Sequence, residues 1–262
     1  DRWSASTIDA AGHAAFDLAS GRISGTVGLR VDTWLLSASR LTPRLGTTPG
    51  IGSQQIDATA DPRGTLQVRA SDSLVFRADA GRYHQARAAS DTSAVFGTPM
   101  LGLESAWHVI AGTQWRRRMF AVEAAGYARW LDELVARDLS VTPPLARVLT
   151  QNGIGRVTGV QVTARVLGWR GLSGWLSYNL SRSERKDAAD QGWRFFDHDQ
   201  THGLIAGAGW EHGDWTRGTR LRFATGEPRT AVLGAFFDSR TGRFEPVRGP
   251  HNGDRLPAFF AA

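Results

Sequence analysis

The chain contains no cysteine, which excludes thiol catalysis, disulfide bridges and zinc–thiolate sites. That usage fits a protein that crosses an oxidising periplasm. Long apolar runs are also missing: no stretch approaches the roughly 18–20 residues that a spanning helix needs. Methionine is scarce, at 2 residues, and helix start and stop patterns are few. No G-x-S-x-G, P-loop or dinucleotide fingerprint is present, so the common nucleophile-elbow and nucleotide-cradle chemistries have no foothold. The net charge of +6 comes almost wholly from arginine, yet the longest basic run is Arg116-Arg117-Arg118. A nucleic-acid-binding surface needs a clustered patch, so no nucleic-acid partner is expected.

What the chain has in excess is glycine (30) and tryptophan (10) among its 262 residues, a balance that favours strands. The organising pattern has period two. Ile23, Val27, Leu29 and Val31 share one face of an extended segment, and Ser24, Thr26, Arg30 and Asp32 share the other. The pattern recurs through Leu66–Ala70, Leu74–Ala80, Trp107–Ala111, Phe120–Ala124, Val160–Val166, Leu172–Leu180 and Thr219–Phe223, and more weakly around 9–18 and 203–211. Residues 119–136 have helix-compatible composition. Their alternation predicts a strand to about Trp130, with a helical turn over Leu131–Val135 as the alternative.

Connections alternate in length. Short turns are predicted at Ser20-Gly21-Arg22, Asp72-Ser73, Arg116-Arg117-Arg118, Trp169-Arg170-Gly171 and His212-Gly213-Asp214. Long polar loops are predicted at about 36–61, 87–103, 132–154, 183–200 and 226–255. Tight periplasmic turns and long extracellular loops are the rhythm of an outer-membrane barrel. Apparent strand lengths of about 9–13 residues match tilted strands crossing the hydrocarbon layer. The expected fold is therefore all-β: an antiparallel, up-and-down transmembrane β-barrel segment of about ten strands, with an eleventh starting near Leu256.

Two residue sets follow from this reading. Trp34, Trp107, Trp115, Trp130, Trp169, Trp210 and Trp215 fall near strand ends, where an interfacial girdle would lie; the competing assignment is packing in a soluble core. Arg30, Asp32, Arg69, Arg77, Asp79, Glu123, Arg129, Arg165, Arg220 and Arg222 fall on polar faces. Together they would make a polar, lumen-facing wall; singly, each is expected in a hydrated cross-strand ion pair. The densest polar cluster, Phe195-Phe196-Asp197-His198-Asp199-Gln200-Thr201-His202, places two histidines on one strand face. It offers no third metal ligand or supporting shell, so no metal, cofactor or catalytic residue is assigned. A complete ten-stranded outer-membrane enzyme, a protease or lipase, would have to build a rim site from His84, His198 and His202 with Asp197 or Asp199. A soluble all-β binding module is the third reading; strands of about ten residues weigh against it.

Several segments resemble the barrel of TonB-dependent outer-membrane receptors. They are Gly28-Leu29-Arg30-Val31-Asp32; Asp61-Pro62-Arg63 with Gly81-Arg82-Tyr83-His84-Gln85; Leu103 through Tyr127, Leu131, Asp132 and Leu134; Asn152-Gly153-Ile154-Gly155; Leu172 through Ser183; and Phe196-Asp197-His198-Asp199-Gln200-Thr201-His202. Gly226-Glu227-Pro228 and Arg255-Leu256-Pro257 look like later landmarks of the same family, and Gln161 stands where the pattern usually has Glu.

The resemblance implies a barrel of about 22 strands filled by a plug, in the outer membrane of a Gram-negative bacterium. It implies energy-coupled uptake of a scarce nutrient, a small metal chelate such as a ferric siderophore, or cobalamin. The implied partners are outer-membrane lipid, a plug domain and the TonB complex; no cofactor is implied. Residues 1–262 are expected to form one partial barrel domain with no plug. The start at Asp1-Arg2-Trp3-Ser4, without a leader, and the end after Leu256-Pro257 in a beginning strand make a fragment the expectation.

Overall fold

Alternation of apolar and polar side chains favours a pleated strand, and two-residue turns return each strand against the last. At Arg170-Gly171 both φ angles are positive, +51° and +82°, as a type I′ hairpin turn requires. The computed structural model describes residues 2–41, 51–92, 98, 100–137, 149–188 and 191–262. In chain order the strands are β1 (Arg2–Ser20), β2 (Ile23–Leu41), β3 (Ile51–Ser71), β4 (Leu74–Gln85), β5 (Glu104–Arg117), β6 (Phe120–Arg137), β7 (Leu149–Trp169) and β8 (Leu172–Lys186). They continue as β9 (Arg194–Phe195), β10 (His202–His212), β11 (Trp215–Ala224), β12 (Pro228–Arg229), β13 (Val232–Asp238), β14 (Arg243–Arg248), β15 (Asp254–Arg255) and β16 (Phe259–Ala261). One 3-10 turn, Ala89–Thr92, lies between β4 and β5.

One sheet holds twelve of these strands, in the order β1-β2-β3-β4-β5-β6-β7-β8-β10-β11-β16, with β9 on β8. Every pairing is antiparallel between chain neighbours or near neighbours, which is the up-and-down pattern. Among the described residues the sheet does not close on itself. The remaining strands form two small sheets in the last long connection, β12 with β15 and the hairpin β13–β14.

The all-β, open-segment architecture is the expected one. Its dimensions differ. β1 and β2 run 19 residues and β3 and β7 run 21, not 9–13. The apolar alternation stops near Leu35 and Ile56, but the ladder continues through Ser37↔Gln54 and Ser39↔Gly52. Backbone pairing needs no apolar side chain, so much of the predicted 36–61 loop is strand. The tips at 42–50, 93–97 and 138–148 lie outside the described residues. The turn over Leu131–Val135 stays in β6, with register shifts at Leu131/Leu134 and Leu134/Ala136 and Glu133 at φ +59°. The final strand of the main sheet begins at Phe259 rather than at Leu256.

The sheet is a single layer. Among the described residues, buried apolar side chains are few, and they include Leu36, Ala38, Leu101, Leu103 and Ala136 near the long-loop end. Ile8, Phe16, Leu18, Val27, Leu66, Phe76 and Val160 are exposed along the strands. On the opposite face Tyr127 crosses three strands: its ring covers Gly159 of β7 and its hydroxyl donates to Asn179 of β8 at 3.0 Å. A Cβ at Gly159 would meet that ring and the carbonyl of Leu180. Gly159→Val is therefore expected to displace Tyr127 and to destabilise the sheet by about 1–3 kcal/mol, read as a lower melting temperature. An unchanged melting temperature would show that Tyr127 does not clamp β6 to β8.

Candidate functional site on the polar face and rim

Residues directly opposite in an antiparallel ladder share a face, so the register assigns every side chain to one of two sides. Arg30 and Asp32 face Asp61 and Thr59, and Thr65 and Gln67 face Asp79 and Arg77. Gln114 faces Glu123, which faces Thr163; His108 faces Arg129, and Ala121 faces Arg165. Ile205 and Gly207 face Arg222 and Arg220. With Arg69 on the same odd-numbered side of β3, all ten residues of the polar set lie on one side of the sheet. The other side carries Val27, Leu29, Leu66, Val109, Val122, Val160, Leu176 and Leu221.

Six of the seven tryptophans, Trp107, Trp115, Trp130, Trp169, Trp210 and Trp215, fall on the apolar side. Trp34 departs from the expectation: it pairs with Asp57 and shares the face of Arg30 and Asp32. Its even position put it there, and position along the strand was no guide to side. Its Nε1 is buried without a hydrogen-bond partner.

Charges on the polar side are paired in short units. Arg30 bonds Asp32 of its own strand at 2.6 Å and lies 3.5 Å from Asp9 of β1, while Asp32 is buried. Arg77 bonds Asp79 at 2.8 Å, the same i,i+2 arrangement. Arg165 lies 3.7 Å from Glu123, which also accepts from Gln114 at 3.3 Å. Arg129 lies over the Tyr127 ring and Arg222 over Phe259. Arg165 and Arg220 flank a trough with Trp175, floored by Gly207, Gly209 and Gly218. A shallow recess of about 340 Å³ is bordered by Gln67, Arg77, Asp79, Gln114, Glu123 and Thr163. Donors and acceptors of both signs alternate across this wall, which suits a hydrated surface that meets polar solutes.

At the long-loop end the Phe195–His202 segment proves structural. Asp199 is 1% exposed, the largest fully buried side chain among the described residues. It accepts from the Ser183 amide at 2.7 Å, from Thr201 Oγ1 at 3.0 Å and from Arg255 at 2.6 Å. Arg255 also donates to the carbonyl of Gly226. Asn252 donates to the Phe195 carbonyl and to Asp197. One carboxylate thus ties β8, the start of β10 and the base of the 226–255 connection together. The motif Phe196-Asp197-His198-Asp199 marked the place, but the partner from 56 residues away was not legible in it.

The histidines diverge. His84 pairs with Asp61 at 2.6 Å, His202 with Tyr178 at 2.8 Å and exposed His198 with Glu227 at 3.2 Å. Among the described residues no group of three His, Cys, Asp or Glu is placed to hold a metal. The rim site that a ten-stranded enzyme would need is not assembled.

A family model described as "TonB dependent receptor-like, beta-barrel" matches residues 1–260. The chain belongs to this family of TonB-dependent receptors. Members of the family are outer-membrane β-barrels, receptors and transporters rather than enzymes. No curated protein sequence matches the chain. Among solved structures it is similar to the FrpB iron transporter of Neisseria meningitidis (TM-score 0.64, 13% identity), covering 99% of this chain and 38% of that one. It is also similar to the ferric-catecholate import receptor Fiu of E. coli K12 (TM-score 0.71, 13% identity), covering 98% of this chain and 38% of that one. The copper transporter OprC gives a TM-score of 0.72 at 15% identity, covering 98% and 39%. The chain thus spans about two fifths of the length of these receptors.

Two outcomes are expected at the rim. Asp199→Ala leaves Arg255 and the Ser183 amide without their acceptor, and is expected to cost about 3 kcal/mol and to expose residues 226–255 to protease. Resistance equal to that of the unaltered protein would refute the latch. Asp254, held below the usual carboxylate range by the hydrogen bond from Arg229, has a lowered folded-state value. Its contribution is therefore present above the unfolded value and lost as pH falls through the lower folded one. Pepsin cleavage within 226–255 is expected to rise below about pH 4. The rise should be smaller in Arg229→Gln, whose Asp254 keeps only the backbone hydrogen bond from Arg255.

Proposed function

We propose that this chain forms part of the wall of an outer-membrane receptor barrel that takes up a scarce nutrient as a small metal chelate, such as a ferric siderophore, or as cobalamin. On this reading the apolar side faces lipid, the six tryptophans lie at its interfaces, and the polar side faces the lumen. The full-length receptor would hold a plug domain in that lumen and draw energy from the TonB complex. The observation that carries it is the division of the middle of the sheet into a polar face and an apolar face across successive strands from β1 to β11. In water the exposed apolar side would be a contiguous patch far larger than soluble monomers carry; in a bilayer it is the required surface. Iron and copper transport named for FrpB and OprC support a metal cargo without choosing between metals.

Orientation and function are tested in the full-length receptor. Leu176→Arg, on the apolar side, is expected to cost about 2–4 kcal/mol and to reduce insertion, whereas Ser177→Arg, one residue on and facing the other way, is tolerated. The reverse ranking would invert the faces. Cells producing the receptor should accumulate a ferric chelate, cobalamin or copper only when TonB is present. Accumulation that persists without TonB would refute energy-coupled uptake.

A further inference from the structure

At the long-loop end of β7 and β8 the apolar side changes character abruptly. Val160 pairs with Leu180; the next rungs on the same side are Thr158↔Arg182, Arg156↔Glu184 and Ile154↔Lys186. Trp130 of β6 lies directly opposite Arg156. Two residues along a strand rise about 7 Å, so the first cation stands one rung above the apolar band and the others follow within about 14 Å.

These cations are organised rather than scattered. Glu184 is buried, and each carboxylate oxygen holds one guanidinium: Arg156 at 2.7 Å and Arg182 at 2.6 Å. Both arginines stay open to solvent, with side-chain exposures of 44% and 61%. Arg156 also stacks on the Trp193 ring at 4.2 Å, and Lys186 approaches the same ring at 5.1 Å. Two guanidinium groups thus share one buried carboxylate, with Lys186 joined to them through the Trp193 ring, and the excess positive charge is held by a frame with guanidinium donors to spare.

We propose that this cluster is a docking site for a phosphorylated glycolipid of the outer leaflet, bound through its headgroup phosphates while its acyl chains lie against Val160, Leu180 and Leu176. It rests on the assignment of the apolar side to lipid. The chemistry fits: arginine forks pair with phosphate oxygens, and cations just above an apolar band meet anionic headgroups at the interface. Glu184 serves as the internal counter-ion that sets the two forks side by side. On the same face at the short-turn end, Arg117 stands without such a frame and faces the other leaflet.

The test uses the full-length receptor in nanodiscs, with bis-phosphorylated lipid A and its dephosphorylated form as probes. The triple variant Arg156→Gln, Arg182→Gln, Glu184→Gln removes the charges without orphaning the carboxylate, and Lys186→Gln touches no ion pair. The unaltered receptor should retain bis-phosphorylated lipid A in native mass spectrometry. Binding should fall about tenfold or more in the triple variant, fall less in Lys186→Gln, and stay unchanged in Arg117→Gln. Millimolar inorganic phosphate should not displace the lipid. Equal binding of the two lipid A forms, equal binding by the triple variant, or displacement by free phosphate would overturn the proposal. Quenching of tryptophan fluorescence by brominated lipid reads the membrane placement separately. If quenching persists while lipid A binding is indifferent to the variants, only this site is overturned; if quenching is absent, the lipid-facing assignment falls as well.

Discussion

Backbone pairing between neighbouring strands is the interaction on which the rest depends. Each long strand offers a row of N–H and C=O groups, and in a single-layer sheet the adjacent strands are the structural means of satisfying them. The ladder from β1 through β11 does this almost without interruption, breaking register only at a few bulges such as Leu131/Leu134 and Val166/Trp169. Because the ladder is continuous, a face assigned on one strand is assigned on all of them. A slip by one residue at any rung would turn the apolar side of every later strand toward the polar side.

That division lets a chain with so little buried apolar surface hold a defined structure. Stability comes from pairing along the strands and from contacts between neighbouring strands on one face. Tyr127 spanning Gly159 to reach Asn179 is one such contact, and the Arg30–Asp9 and Arg165–Glu123 pairs are others. The long-loop end works differently. There Asp199 and Glu184 are buried acids with arginine partners, and they draw together segments distant in sequence. The midsection is a wall; the rim is a set of tied connections, and its two faces carry different chemistry.

Much of this was legible in the chain itself. Alternation at Ile23–Asp32 or Val160–Val166 states strand and face together, because side chains on a strand have no third direction to take. Four of the five tight turns were visible as glycine or polar pairs between alternating runs; the third lies at Arg118-Met119 rather than at Arg116-Arg117-Arg118, because Arg116 and Arg117 stay in the β5 ladder opposite Ala121 and Phe120. Strand lengths were not, because β2 and β3 continue as Ser37↔Gln54 and Ser39↔Gly52, where polar residues pair as well as apolar ones and alternation disappears. Trp34 shows the other limit. Proximity to a strand end suggested an interface, but parity put its ring among Asp32 and Asp57.

By itself, then, the sequence determined the fold class, the alternation of short and long connections, and the side to which each mid-strand arginine belongs. These are local properties, carried by spacing along one strand. Only the tertiary structure decided which residues meet across the rim: Arg255 on Asp199, Arg156 and Arg182 on Glu184, His84 on Asp61 and His202 on Tyr178. The physical reason is that loop partners are chosen by where the ladder delivers the strand ends, and no spacing rule within a single strand encodes that meeting.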